Sequence, residues 1–253
     1  MDSKKITIFK IPFDQGILDQ SKRGASKAPD RIESEYKKII NRANFTNIRT
    51  SQDFKETHKN IYNRAKEYPL FGAVGGDHSI SYSLIKAFKQ HHPNSAIVIM
   101  DAHFDCQEPF DLPTHEDFLR LLISQKTINP EDILIIGARS YTNNELDFIE
   151  KHKIKHIEPK KFKIESLMDF LKKYDSFYLS IDIDAFDPSI APGTGLPEPK
   201  GLTQDQLQKA FKCFPYGKEV YSFDIVETSP AHDFGNTTVK LVANILLRLT
   251  TPP

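Results

Sequence analysis

The chain has no tryptophan, only three methionines and only two cysteines in 253 residues. Cys106 and Cys213 stand far apart, without the short spacings of a zinc site. Neither a disulfide scaffold nor a cysteine-held metal is expected, and a reducing compartment fits best. An excess of charge is also missing: 34 Lys and Arg balance 34 Asp and Glu. That removes the usual electrostatic motive for binding nucleic acid or an anionic membrane. No apolar run approaches the roughly 18 residues that a membrane span needs. The opening Met-Asp-Ser-Lys-Lys-Ile-Thr-Ile-Phe has neither the apolar core nor the small-residue cleavage site of a secretory leader. No Gly-x-Gly-x-x-Gly or Gly-Lys-[Ser/Thr] loop follows an apolar run, which disfavours a nucleotide-binding module. These absences read as a cytoplasmic protein whose partner is a small molecule.

What is present is ordinary in bulk, with 39% hydrophobic and 27% charged residues, as in soluble globular chains. No repeat, low-complexity tract or linker divides residues 1–253, so one domain is expected. Six short apolar runs read as strands: Lys5–Ile11, Leu70–Val74, Ala96–Met100, Ile133–Ile136, Phe177–Ile183 and Val220–Val226. Helical periods lie near Phe54–Lys66, Ser79–Gln90, His115–Ser124, Asn143–His152, Ile164–Tyr174, Thr203–Phe214 and Thr237–Leu249. Runs such as AIVIM are apolar on both faces, as in a parallel sheet covered on each side. The alternation predicts a three-layer α-β-α fold with right-handed crossovers. Ligands of such sheets collect beyond the carboxyl ends of the strands.

That is where the chemistry-bearing residues fall. AIVIM runs into Asp101-Ala-His103-Phe-Asp105, and alternate residues of an extended chain share a face. FYLSI runs into Asp182-Ile-Asp184 with the same parity, and LFGAV into Gly75-Gly76-Asp77-His78-Ser79. Four carboxylates and two imidazoles gathered at one sheet edge cannot all keep their charge without compensation. Divalent cations compensate most directly, and a carboxylate-rich site with one imidazole per ion suits Mn²⁺, although imidazole also accepts Zn, Fe and Ni. Two ions about 3.5–4 Å apart with a shared carboxylate can generate hydroxide near neutral pH. An isolated Asp-x-Asp more often shapes a turn; three such motifs, each at a strand terminus, point to a metal centre.

GGDHS at 75–79, DAHFD at 101–105 and SIDIDAFDP at 180–188 resemble, in order, the three metal-binding signatures of the ureohydrolase (arginase/agmatinase) family. IPFDQG at 11–16 with RGASKAPDRI at 23–32 looks like that family's N-terminal loop and helix, and SFDIVETSP at 222–230 like its last strand. The resemblance implies a mainly parallel sheet of about eight strands and two Mn²⁺ ions. One ion would be held by His78, Asp101, Asp105 and Asp182, and the other by His103, Asp101, Asp182 and Asp184, with Asp101 and Asp182 bridging. It further implies that His115 shuttles protons, that Glu227 holds the guanidinium, and that Asp105 passes a proton to the leaving amine. A homo-oligomer, trimer or hexamer, is also implied. Asp187 is expected to shape a turn, and Asp77 and Asp224 to support the ligands.

The implied reaction is release of urea and an amine from a guanidino compound. APGTGLPEPKGLT at 191–203 looks most like agmatinase-type members. The 105–115 loop is short and lacks the Asn and Ser with which arginases hold an α-amino-acid carboxylate; Gln107 and Asp111 take the nearest places, with Glu108 as a further acid. An acid there favours a cationic or neutral tail, and so agmatine. Arginase, guanidinobutyrase and formimidoylglutamase activities remain alternatives, as does a catalytically silent metal-binding homologue. A one-zinc deacetylase of related fold has no use for His103 and Asp184.

Overall fold

The computed structural model describes residues 5–40, 43–213 and 220–250. Met1–Lys4 of the leader reading and Phe214 of the sixth expected helix lie outside them. Eight strands form one wholly parallel sheet: β1 (Ile6–Ile11), β2 (Ala43–Asn47), β3 (Gly72–Gly75), β4 (Ala96–Met100), β5 (Ile133–Ile136), β6 (Lys155–Ile157), β7 (Ser176–Asp182) and β8 (Val220–Val226). Eight α-helices accompany them: α1 (Ala28–Ile39), α2 (Phe54–Ala65), α3 (Ile80–His91), α4 (Phe118–Ser124), α5 (Asn143–His152), α6 (Ile164–Leu171), α7 (Gln204–Cys213) and α8 (Thr237–Thr250). The three-layer α/β architecture and the strand number agree with the resemblance.

The six apolar runs are strands: β4, β5 and β8 keep the expected ends, and β1, β3 and β7 are shifted by a residue or two. The two strands without an apolar signature, β2 (ANFTN) and β6 (KHI), are the sheet's edges. Edge strands are covered less completely, so polar residues are tolerated there and period-two burial fades. The fourth helix starts three residues later than its period suggests. Asp117 accepts the Thr114 and Phe110 amides, holding residues 114–117 in a turn ahead of Phe118.

Strand β4 shows how the layers are joined. Ala96, Val98 and Met100 belong to the core beneath α1, α6, α7 and α8, while Ile97 and Ile99 belong to the core beneath α2, α3, α4 and α5. A strand buried on both faces has no polar alternation, and each fully buried Val or Ile contributes about 1.5–3 kcal/mol.

Strand order is β2-β1-β3-β8-β7-β4-β5-β6. After β3 the chain skips two sheet positions to build β4, and those positions are filled only at the end of the sequence by β7 and β8. Motifs distant in sequence therefore end side by side on the four central strands β3-β8-β7-β4.

Candidate metal centre and substrate pocket

Strand β3 ends at Gly75, and a tight turn through Gly76 and Asp77 delivers His78 to the sheet edge. A Cβ on Gly76 would lie 1.6 Å from the Phe13 carbonyl oxygen, so only glycine lets the two segments meet. Asp77 is fully buried and accepts the amides of Gly16 (2.6 Å) and Ser79 (3.0 Å), tying this turn to the loop after β1. Asp105 (φ 51°) and Glu227 (φ 61°) hold left-handed backbone conformations, which cost a non-glycine residue about 1 kcal/mol or more. Strain at two residues facing one site is a mark of function.

All six expected ligands converge. His78 Nδ1 lies 3.0 Å from Asp101 Oδ2, 2.9 Å from Asp105 Oδ2 and 3.4 Å from Asp182 Oδ2. His103 Nδ1 lies 3.1 Å from Asp184 Oδ2 and 3.4 Å from Asp101 Oδ1. The ligand atoms of His78, Asp101 and Asp182 all lie within 4.8 Å of one another, as do those of Asp101, His103 and Asp105. Asp101 belongs to both groups, as a bridging ligand must.

Hydrogen bonding tests whether this donor set fits a cation. Ser180 Oγ donates to Asp224 Oδ1 at 2.6 Å, while Asp224 Oδ2 takes the Tyr178 hydroxyl, also at 2.6 Å. Ser180 has then spent its proton, so it can only accept from His78 Nε2, 2.9 Å away. That fixes the His78 proton on Nε2 and leaves the Nδ1 lone pair facing the carboxylates. His78 Nδ1 and Asp101 Oδ2 are buried and neither has a hydrogen-bond partner. A lone pair aimed at carboxylate oxygens is repulsive unless a proton or a cation lies between, and the residues present fit a metal ion.

The electrostatics agree. Burial, reinforced by neighbouring carboxylates, drives Asp105 and Asp182 well above the ordinary carboxylate range. Burial also lifts Glu227, helped by the charge of Asp77. Burial pushes Asp101 up as well, but the adjacent His103 imidazole outweighs that and holds it below its usual range. The cluster is short of positive charge.

Glu227 takes the His78 amide at 2.9 Å on Oε1 and lies 3.6 Å from His115 Nδ1 through the same oxygen. Burial, with the adjacent imidazole charges, lowers His115 to about 4. Asp187 does shape a turn, accepting the amides of Ser189, Lys200 and Gly201. Asp224 supports His78 through Ser180, and that serine, in strand parity with Asp182, was missed. So was Arg139, whose guanidinium clamps the Asp184, Glu198 and Pro199 carbonyls.

Three loops close over the cluster and leave a pocket of about 20 Å³, lined by Asp105, Asp182, Asp184, His103, His115 and Glu227 together with Ile17, Lys22, Thr194, Gly195 and Leu196. The last five carry no motif. The loop residues expected near the substrate tail are elsewhere: the acid Glu108 pairs with Arg120, the acid Asp111 is exposed and outside the lining, and Gln107 bonds Thr142 and Glu145. A larger groove of about 740 Å³ between residues 159–165 and 200–209 contains none of the ligands.

Comparison with known proteins follows the same line. The model of the arginase family matches residues 4–251. The arginase of Staphylococcus aureus (strain MRSA252) is 30% identical over 249 residues, covering 88% of this chain and 81% of its own. The formimidoylglutamase of Bacillus subtilis superposes with a TM-score of 0.90 at 26% identity, covering 99% of this chain and 87% of that one. The agmatine ureohydrolase of Thermoplasma volcanium does so with a TM-score of 0.85 at 25% identity, covering 98% and 89%. A fold built around these signatures, matched along almost its whole length, places the chain in the arginase family, a family of hydrolases acting on amidino C–N bonds.

Proposed function

We propose that this protein is a two-metal hydrolase that cleaves the C–N bond of a linear guanidino or formimino compound, with Mn²⁺ as its metal and one domain as its unit. The observation that carries the reading is the His78–Asp101 contact: a tautomer fixed by Ser180 and Asp224 turns an unprotonated nitrogen toward a buried carboxylate oxygen. His78, Asp101, Asp105 and Asp182 would hold one ion, and His103, Asp101, Asp182 and Asp184 the other. When bound, such a pair supplies Lewis acidity that brings the pKa of water near neutrality.

The chain's own residues do the rest. Glu227, at the C-terminal end of β8, accepts N–H groups of the planar amidine and fixes it over the cluster. Its carboxylate is anchored by the His78 amide, so the substrate is oriented relative to the same turn that carries a ligand. His115 lines the pocket with Nδ1 3.6 Å from Glu227 Oε1, where it can carry a proton between the cluster and solvent. Ile17 and Leu196 give the entrance apolar walls that exclude water around a methylene spacer. Agmatine, preferred on the sequence, is the choice that the pocket lining supports least, since no acid beyond the cluster and Glu227 lines it.

The test is product release by Mn²⁺-loaded protein from agmatine, arginine, guanidinobutyrate and guanidinopropionate, read as urea, and from formiminoglutamate, read as formamide. Turnover of any one supports the reading. Silence across the panel with two ions bound contradicts it.

A further inference from the structure

The narrow pocket has one side chain whose charge no catalytic role uses. Its acids are the cluster carboxylates and Glu227; apart from its histidines, its lining cation among the described residues is Lys22. Lys22 sits at the end of a short 3-10 turn in the loop after β1, with its amide on the Asp19 carbonyl at 3.0 Å. That loop is fixed. The Gly24 and Ser26 amides both donate to Asp14 at 3.1 Å, and a Cβ on Gly195 would come within 2.4 Å of the Lys22 carbonyl oxygen, so the rim loops are in contact.

The neighbouring cation is used differently. Arg23 turns its guanidinium onto the Ile17 carbonyl at 2.9 Å, holding the loop's own backbone. Among the described residues the Lys22 ammonium has Asp19 as its ion-pair partner, at 3.9 Å, which is beyond hydrogen-bond reach. Lys22 lines the pocket with a side chain 37% exposed, and Asp19 at 53% is more exposed still. The ammonium's field reaches inward as far as His115. A cation held over an apolar-walled entrance, with a guanidinium-binding carboxylate at the floor, suits a ligand charged oppositely at its two ends.

We propose, on the basis of the hydrolase reading above, that Lys22 receives a carboxylate at the far end of the substrate, which makes the natural substrate a guanidino or formimino acid. Agmatine carries an ammonium there instead, and two cations close together in a narrow entrance repel. A charge-assisted hydrogen bond is worth about 1.5–3 kcal/mol, or roughly 10- to 100-fold in affinity.

The experiment compares 4-guanidinobutyrate with agmatine, which share the guanidinium and differ at the far end. Calorimetry on Mn²⁺-loaded protein reads binding whether or not either is hydrolysed. Guanidinobutyrate is expected to bind at least about tenfold more tightly. Lys22→Met should weaken it about 10- to 100-fold while leaving agmatine unchanged or improved, and Lys22→Glu should reverse the order. Equal or tighter binding of agmatine to the wild type, binding of neither, or an unaltered guanidinobutyrate affinity in Lys22→Met overturns the assignment. Urea from the guanidino compounds and formamide from formiminoglutamate are measured on the same preparations: the absence of both from protein that binds guanidinobutyrate through Lys22 contradicts the hydrolase reading and upholds the carboxylate subsite.

Discussion

Ser180 Oγ lies 2.9 Å from His78 Nε2 and donates its own hydrogen bond to Asp224, so one serine decides which imidazole nitrogen faces the acidic cluster. Replacing it tests that chain without touching a ligand. Ser180→Ala should lower affinity for the ion at His78 by about 10- to 100-fold, the range found when such supporting partners are lost. Metal titration with a competing chelator reads this directly. Unchanged affinity would remove Ser180 from the account.

Glu227 reaches the site from β8 at a strained φ of 61°. Glu227→Gln keeps its shape and its bond from the His78 amide but loses the charge that holds the amidine. We expect two ions still bound and kcat/KM lowered about 10- to 100-fold, as for one charge-assisted bond. Loss of metal in this variant would mean that Glu227 serves the cluster instead.

Gly76 packs its Cα against the Phe13 carbonyl at a separation that no side chain permits. Gly76→Ala must push apart the β1 and β3 loops that meet through Asp77 and Gly16. A loss on the order of 3 kcal/mol or more is expected, visible as a large drop in melting temperature or as insoluble protein. A variant within a degree of wild type would show that the loops yield easily.

His58 gives the pH dependence. It lies buried in α2, its Nδ1 2.9 Å from Ser83 Oγ and its Nε2 without a hydrogen-bond partner. Burial lowers its pKa from 6.5 to about 4. Between those values the unfolded chain binds a proton that the folded one refuses, so stability falls as pH drops from 6.5 toward 4 and levels below. Above 6.5 no penalty operates. The full effect is roughly 3 kcal/mol. Denaturant unfolding of wild type and His58→Leu from pH 4 to 8 checks it: the variant should lose this part of the slope, and parallel curves would contradict it.

The ligand motifs were legible because strand parity and strand ends fix where side chains go. Asp101, His103 and Asp105 follow one apolar run, and Asp182 and Asp184 another, so local rules sufficed to bring them to one edge. Strands β2 and β6 were not visible as apolar runs, because an edge strand need not be apolar. Ser180 was within reach, two residues before Asp182 on the same face, but a lone serine carries no sign of its partner across β7 and β8. The rim was opaque. Lys22, Thr194 and Leu196 meet through loops separated by some 170 residues of sequence, and no period or spacing joins them. For the same reason Asp111 and Glu108, adjacent to a ligand in sequence, were placed in a pocket that they do not line.

The central claim is that Asp101 and Asp182 bind two ions on which hydrolysis depends. Its most direct measurement is metal content by plasma mass spectrometry alongside product release, on wild type and Asp182→Ala after Mn²⁺ loading and dialysis. Two ions per chain with turnover in the wild type, and loss of both metal and turnover in Asp182→Ala, is the result predicted. Two tightly bound ions and full activity in Asp182→Ala would contradict it.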